Sequence, residues 1–315
     1  MRVLFWGTPE FATPALRALL GEGFDVAGVV TQPDKPKGRS RSTLVASPVK
    51  DIAIEEGLPV FQPERPRGET FIAELRALEP DVSVVVAYGH LLPQAVIDLP
   101  ARGTVNIHAS LLPALRGAAP IQAAIRNGAT ETGVTIMRMV LALDAGPAIH
   151  QVRTPILPDE TYGELQNRLS EVGAGALIEA LTMMSVGELR EQPQDDSRAT
   201  YAPKIERADA RIDWNAAAVE ICRSIRAFDP KPGAFTTRNS VDVKLFGSRL
   251  VTDWTGIEGA AGEVLAVGAQ GMLVACAPGT GAVRIAQVHP AGKKRVSAAE
   301  WMAGRGVMTG DRLGG

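Results

Sequence analysis

The chain has 315 residues, 45% of them hydrophobic and 22% charged, with a formal net charge of −2. That length suits about two domains, and the composition is that of an ordinary globular protein with a sizeable core, not a disordered or collagenous one. The charge is unevenly spread: residues 1–203 hold 18 Lys+Arg and 24 Asp+Glu, net −6, whereas 204–315 hold 15 and 11, net +4. A mildly basic C-terminal part suggests a polyanionic partner.

Taken in chain order, the first half alternates apolar β-prone runs with helical segments. Arg2–Gly7 reads as a strand ending in Gly7-Thr8-Pro9, and Glu10–Gly21 as the helix after it, since Pro suits a first turn. Strands follow at 25–31, 81–87, 104–108, 133–140 and 149–154, with helices at 48–56, 68–78, 93–99, 120–127 and 161–187. This alternation predicts an α/β, Rossmann-like domain with a mostly parallel sheet. Residues 191–209 lose the apolar pattern and read as a linker or crossing loop. Beyond them a short helix (216–228) precedes strands at 241–246, 262–267, 272–277 and 282–289, separated by Gly-rich turns. These predict a small β-rich domain of the OB type. The expected division is a catalytic domain over 1–189, a linker over 190–207 and an OB-like domain over 208–315.

The opening run is too short for a signal peptide and no long apolar segment suggests a membrane span, so a cytoplasmic protein without membrane partners is expected. Cys222 and Cys276 form no CxxC pair and read as reduced, buried thiols. The four histidines are scattered, which argues against a metal site.

The most informative stretch is 104–117, TVNIHASLLPALRG. On a strand, Asn106 and His108 point to one face. An amide and an imidazole aimed at one point suit a developing oxyanion, and a polar pair at the carboxyl end of such a strand is where α/β proteins bind ligands. Asp144, before a Gly-Pro turn, reads either as a turn former or as the carboxylate partner of His108. The three together supply the parts for acyl-type transfer. No Ser or Cys stands in a G-x-S-x-G setting, which favours direct transfer over a covalent enzyme intermediate. The GxGxxG fingerprint is absent after the first strand, where Pro9 stands, so dinucleotide binding is disfavoured. Residues 31–48 carry Lys35, Lys37, Arg39 and Arg41 among Pro, Gly and Ser: either a solvated loop or a basic finger for phosphates.

Asn106-x-His108, Ser110-Leu-Leu-Pro113, Arg116-Gly-Ala-Ala-Pro-Ile-Gln122, Glu131–Ile136 and Leu143-Asp144 resemble the folate-dependent formyltransferases. Phe5-x-Gly-Thr-Pro-x-Phe-Ala12, Thr31–Asp34, Ala87-Tyr88-Gly89, Ala210–Trp214, Ile225–Phe228 and Pro290–Lys294 resemble the branch that acts on initiator tRNA, and the likeness covers nearly the whole chain. The resemblance implies formyl transfer from 10-formyltetrahydrofolate to the α-amino group of methionyl initiator tRNA, without a metal. It implies Asn106, His108 and Asp144 as catalytic residues. The folate segment would be Ser110, Leu111, Leu112 and Pro113, with Tyr88 and Gly89 beside it. Arg39, with Arg41 and Lys37, would contact tRNA, the OB-like domain would dock it, and a monomer is expected. The alternatives are a formyltransferase for an amino sugar nucleotide or glycinamide ribonucleotide, which would share the Asn-His-Asp set, and a non-catalytic tRNA-binding protein.

Overall fold

The structure, a computed structural model, describes residues 1–37, 43–252 and 259–314. The chain forms two compact units: 1–117 with 131–154 and 166–202, and 118–130 with 155–165 and 203–315.

In the first unit the strands are β1 (Arg2–Gly7), β2 (Asp25–Val30), β3 (Lys35–Lys37), β4 (Thr43–Val45), β5 (Val60–Phe61), β6 (Val82–Val86), β7 (Thr104–His108), β8 (Glu131–Arg138) and β9 (Ala148–Pro155). Seven of them make one sheet in the order β5-β2-β1-β6-β7-β8-β9, while β3 and β4 pair separately. The pairs β5/β2, β2/β1, β1/β6 and β6/β7 are parallel, and β7/β8 is antiparallel. The expected mostly parallel α/β sheet is therefore present. β1, β2 and β6 are buried almost throughout because both faces are covered, as their continuous apolar sequences require. Helices α1 (Thr13–Gly21), α2 (Pro48–Glu55), α3 (Glu69–Ala77) and α4 (Gln94–Ile97) fill the crossovers. Leu4, Trp6, Val30, Leu75, Val85, Leu92, Val96 and Ile97 form one core cluster with Tyr88.

The chain runs outward from β1 through β2 to β5, then returns to the other side of β1 with β6. The order reverses between β1 and β6, and crevices at such reversals, outside the carboxyl ends of the strands, take ligands. Gly7 closes β1 there: a Cβ on it would lie 2.8 Å from the Cβ of Ala12, so only glycine lets the next turn pack this closely.

The second unit contains α5 (Pro120–Arg126), the first turn of α6 (Tyr162–Val186), α7 (Ala218–Ala227), strands β10 (Ala234–Arg238), β11 (Val241–Val251), β12 (Val264–Gly268), β13 (Gly271–Ala275), β14 (Ala282–Pro290) and β15 (Val296–Ser297), and α8 (Ala298–Ala303). The sheet order is β10-β11-β14-β13-β12, with β15 on β14, and every pair is antiparallel. This is the expected β-rich, OB-like architecture. Ala218, Ile221, Cys222 and Ile225 form the buried stripe of α7, at helical spacing, and both cysteines are free and buried.

Elements absent from the sequence reading are short: β3, β4, β5 and β15 have two or three residues, too few for any periodicity. β10 and α8 carry a readable signal. Ser297 and Glu300 form a reciprocal capping box at the start of α8. Among the described residues α6 alone has the length and hydropathy of a bilayer-crossing helix, a test that buried core helices also pass. Leu169, Leu177 and Leu181 on α6 are fully buried, and a Cβ on Gly173 would meet Ile107 of β7 at 2.9 Å.

Candidate active site

β7 places Asn106 and His108 on one face, with Asn106 opposite Val85 of β6 and Met137 of β8, and His108 opposite Thr135. Asn106 is half-buried and its side-chain amide makes no intramolecular hydrogen bond among the described residues, which leaves it available to a ligand. His108 is 5% exposed. Its Nε2 lies 3.0 Å from the carbonyl oxygen of Leu115. A carbonyl only accepts, so Nε2 carries a proton and Nδ1 is the nitrogen left facing the site.

Asp144 lies on the connection from β8 to β9 in a left-handed conformation, φ 48°. Its Oδ2 accepts the backbone N–H of Gly117 at 2.8 Å and stands 3.7 Å from Nδ1 of His108. That separation is an ion-pair distance, wider than a hydrogen bond. The structure thus brings Asn106, His108 and Asp144, which the sequence singled out, to one place.

The turn carrying Asp144 is held from two sides. Gly146 approaches Arg138 so closely that a Cβ would come within 1.8 Å of its carbonyl oxygen, which only glycine allows. The side-chain amide of Gln194 donates to the carbonyls of Asp144 and Gly146, each at 2.7 Å. Its oxygen accepts from Arg116 Nε and Nη2 at 3.1 and 2.8 Å, and Nη2 also reaches Asp196 at 2.7 Å. Residues 191–202, read from sequence as a connecting loop, lie on this first unit.

The Ser110–Pro113 loop has its own anchor. Thr135, fully buried on β8, donates through Oγ1 to the carbonyl of Ser110 at 2.7 Å and accepts the N–H of Leu112 at 3.1 Å. Gln151 of β9 donates to Leu112 O at 2.8 Å and to Thr135 Oγ1 at 3.0 Å. Ser110 Oγ donates to Ala114 O at 2.5 Å. Ser110 and Leu112 are buried, whereas Leu111 and Pro113 are partly exposed.

Tyr88 follows β6, but its ring is in the core, edge-on to Trp6 at 5.2 Å between centroids. Its hydroxyl has no hydrogen-bond partner, and burial pushes its pKa up to about 12. Its carbonyl is what faces the switch point: it accepts from Thr8 Oγ1 at 3.2 Å and Gln32 Nε2 at 2.9 Å. Gly89 is exposed with φ 88°. Arg39 and Arg41 lie outside the described residues, and of Lys37 only its place at the end of β3 is described. Among the described residues no group of three His, Cys, Asp or Glu could hold a metal ion.

Arg116, Thr135, Gln151 and Gln194 had no assigned role in the sequence reading, because their partners lie 16–80 residues away. In the second unit the motif residues Ile212, Trp214, Ile225 and Phe228 are buried in the core. A cleft of about 470 Å³ there is lined by Arg207, Phe235, Lys244 and His289 among others. The Arg207 guanidinium covers the Phe235 ring at 5.1 Å.

Residues 1–181 match the formyl transferase family model, and 204–306 match its C-terminal domain. The chain is 46% identical over 314 residues to the methionyl-tRNA formyltransferase of Moorella thermoacetica, covering 100% of this chain and 99% of that one. It is 48% identical over 313 residues to that of Aromatoleum aromaticum, covering 99% and 97%. Two solved structures share the fold. HypX from Aquifex aeolicus in complex with tetrahydrofolic acid has a TM-score of 0.67 at 22% identity, covering 96% of this chain and 47% of that chain. The sugar 3N-formyl transferase WlaRD has 0.68 at 17%, covering 93% and 99%. With both domain models matched in order and relatives this similar along its full length, the chain belongs to the methionyl-tRNA formyltransferase family, a family of transferases.

Proposed function

We propose that the protein transfers the formyl group of 10-formyltetrahydrofolate to the α-amino group of methionyl initiator tRNA, in the cytoplasm and as a monomer. The observation that carries this reading is the convergence of Asn106, His108 and Asp144 at the carboxyl end of β7 in a chain matched over its full length by methionyl-tRNA formyltransferases. Residues 1–189 would be the catalytic domain and 208–315 the tRNA-docking domain, joined by 190–207. The net +4 of residues 204–315 suits an RNA partner. Arg39, with Arg41 and Lys37, is assigned to the acceptor end.

In the reaction the neutral amine attacks the formyl carbon, a C–N bond forms, and negative charge grows on the formyl oxygen. Asn106 donates its amide N–H to that oxygen. His108 is oriented by its Nε2–H bond to Leu115, and donates from Nδ1 when that nitrogen carries a proton. Asp144, held by the Gly117 N–H, would take the proton released by the attacking nitrogen. Collapse breaks the bond from carbon to the folate nitrogen, which leaves with the proton that Asp144 took from the amine. The loop 110–113, anchored on Thr135 and Gln151, together with Tyr88 and Gly89, would hold the folate.

The test is to incubate the purified protein with 10-formyltetrahydrofolate and methionyl initiator tRNA and to measure formylmethionine on the RNA, with Asn106→Ala as control. Formylation lost in the control supports both reaction and site. Folate binding without RNA formylation overturns the acceptor, and sugar nucleotides and glycinamide ribonucleotide are then tried.

A further inference from the structure

We propose that Asp34, Lys50 and Gln62 form a clamp at the base of the basic segment 31–47 and act as positioning residues for the RNA acceptor; this rests on the reaction proposed above. The segment leaves the sheet at the end of β2 and returns at the start of α2, and its two arms, β3 and β4, pair antiparallel from Lys35↔Val45 to Lys37↔Thr43. Leu44 and Val45 are 64% and 39% exposed, and Lys35 and Pro36 are exposed as well. The arms are largely exposed, and the polar contacts that tie them to the unit lie at their base.

The base is built from polar groups reaching across it. Thr31, fully buried, has its Oγ1 2.7 Å from Ser47 Oγ, and Ser47 also caps α2 by accepting the N–H of Lys50 at 3.1 Å. One step outward Lys50 Nζ donates to Asp34 Oδ2 at 2.7 Å. The other oxygen of Asp34 accepts from Gln62 Nε2 at 2.8 Å, and Gln62 donates as well to Gln32 O at 3.0 Å. The side chain of Gln32 then reaches the Tyr88 carbonyl. The base of the basic segment is thereby tied to the loop after β6, across the β1–β6 switch point. Hydrogen bonds from Lys50 and Gln62 hold the Asp34 carboxyl below the usual carboxylate range. The pair is largely shielded, with side chains 19% and 24% exposed. Lys50 is therefore committed to Asp34 and not to a phosphate, and Asp34, an acid in a basic segment, is neutralised where it would otherwise repel RNA.

The test is steady-state formylation of methionyl initiator tRNA by the full chain carrying Lys50→Met, Asp34→Asn or Gln62→Leu. A slackened base lowers the fraction of molecules with the segment correctly aimed, so the KM for RNA is expected to rise about five- to tenfold. The kcat at saturating RNA and the KM for the formyl donor should stay within about twofold. Lys50→Arg, which keeps the ion pair, should stay near wild type. The dependence of log KM on log salt should keep its slope, because no phosphate contact is lost. A slope reduced by about 0.7–0.9 in Lys50→Met would make Lys50 a direct phosphate contact and overturn the clamp. An unchanged KM for RNA, or kcat and both KM values worsening together, would overturn it too. Should Lys50→Met not fold, Asp34→Asn is judged by the same criteria. A wild-type protein that formylates no methionyl-tRNA overturns the reaction, whereas a formylating wild type with kinetically silent clamp variants overturns the clamp alone.

Discussion

Gln194 reaches back fifty residues to hold Asp144: its side-chain nitrogen lies 2.7 Å from the backbone carbonyls of Asp144 and Gly146, and its oxygen receives the buried guanidinium of Arg116. The carboxylate facing His108 is thus aimed by a residue that touches neither. Gln194→Leu would leave two carbonyls without a donor and remove a partner from a guanidinium that is only 4% exposed. Displacement of a reacting group by about 1 Å can cost ~10²-fold. We expect kcat to fall by about 10–100-fold with a smaller change in the KM for RNA, read by steady-state formylation. A loss confined to KM would show that the Asp144 turn does not depend on Gln194.

Asn106→Ala removes one hydrogen-bond donor to the proposed oxyanion. The expected loss is about 10²–10³-fold in kcat with an unchanged far-UV spectrum. Because the Asn106 amide has no partner within the protein among the described residues, its removal leaves no group unsatisfied and should barely alter stability. A rate loss below about tenfold would remove Asn106 from the oxyanion role.

Arg39→Ala should weaken use of the RNA substrate at low salt, and the difference from wild type should shrink as salt rises, because phosphate contacts are screened. The check is kcat/KM for methionyl initiator tRNA across a salt series. An equal loss with a small amine acceptor would point to folding or chemistry instead.

Tyr88→Phe tests the buried hydroxyl. Burial raises the Tyr88 pKa from 10.0 to about 12, so between these values the folded chain keeps a proton that the unfolded chain has lost. The contribution to stability is full below pH 10 and is lost as pH rises through about 12. With no hydrogen bond to lose, the variant should be as stable as wild type, or more so, at neutral pH, and should gain relative to it at about pH 11. Thermal melts at the two pH values give the answer; parallel behaviour of variant and wild type would place the hydroxyl in water or in a hydrogen bond.

Most of the longer strands and helices could be read from local pattern, because the buried strands β1, β2 and β6 are continuous apolar runs and α7 places Ala218, Ile221, Cys222 and Ile225 on one side. The same local geometry fixed the shared face of Asn106 and His108 before any fold was known. The capping box of Ser297 and Glu300 marks α8 by the same local logic, although that helix is not among the predicted elements. What no local pattern holds is which distant groups meet. Asp144 approaches His108 only because β8 lies antiparallel beside β7, and Thr135 reaches Leu112 only through that register. Gln194 and Asp196 sit in a polar stretch whose composition says only that it is not core, yet their carbonyl and guanidinium partners make them the support of the Asp144 turn. The composition of the basic segment allows either a solvated loop or a basic finger, and only the fold sets Asp34 at its base against Lys50 and Gln62. Periodicity is encoded by neighbours along the chain, so the sequence alone determined the elements and the Asn-x-His pair. Buried polar groups must find partners wherever the packed sheet brings them, so only the tertiary structure decided which carboxylate, amide and hydroxyl complete the site.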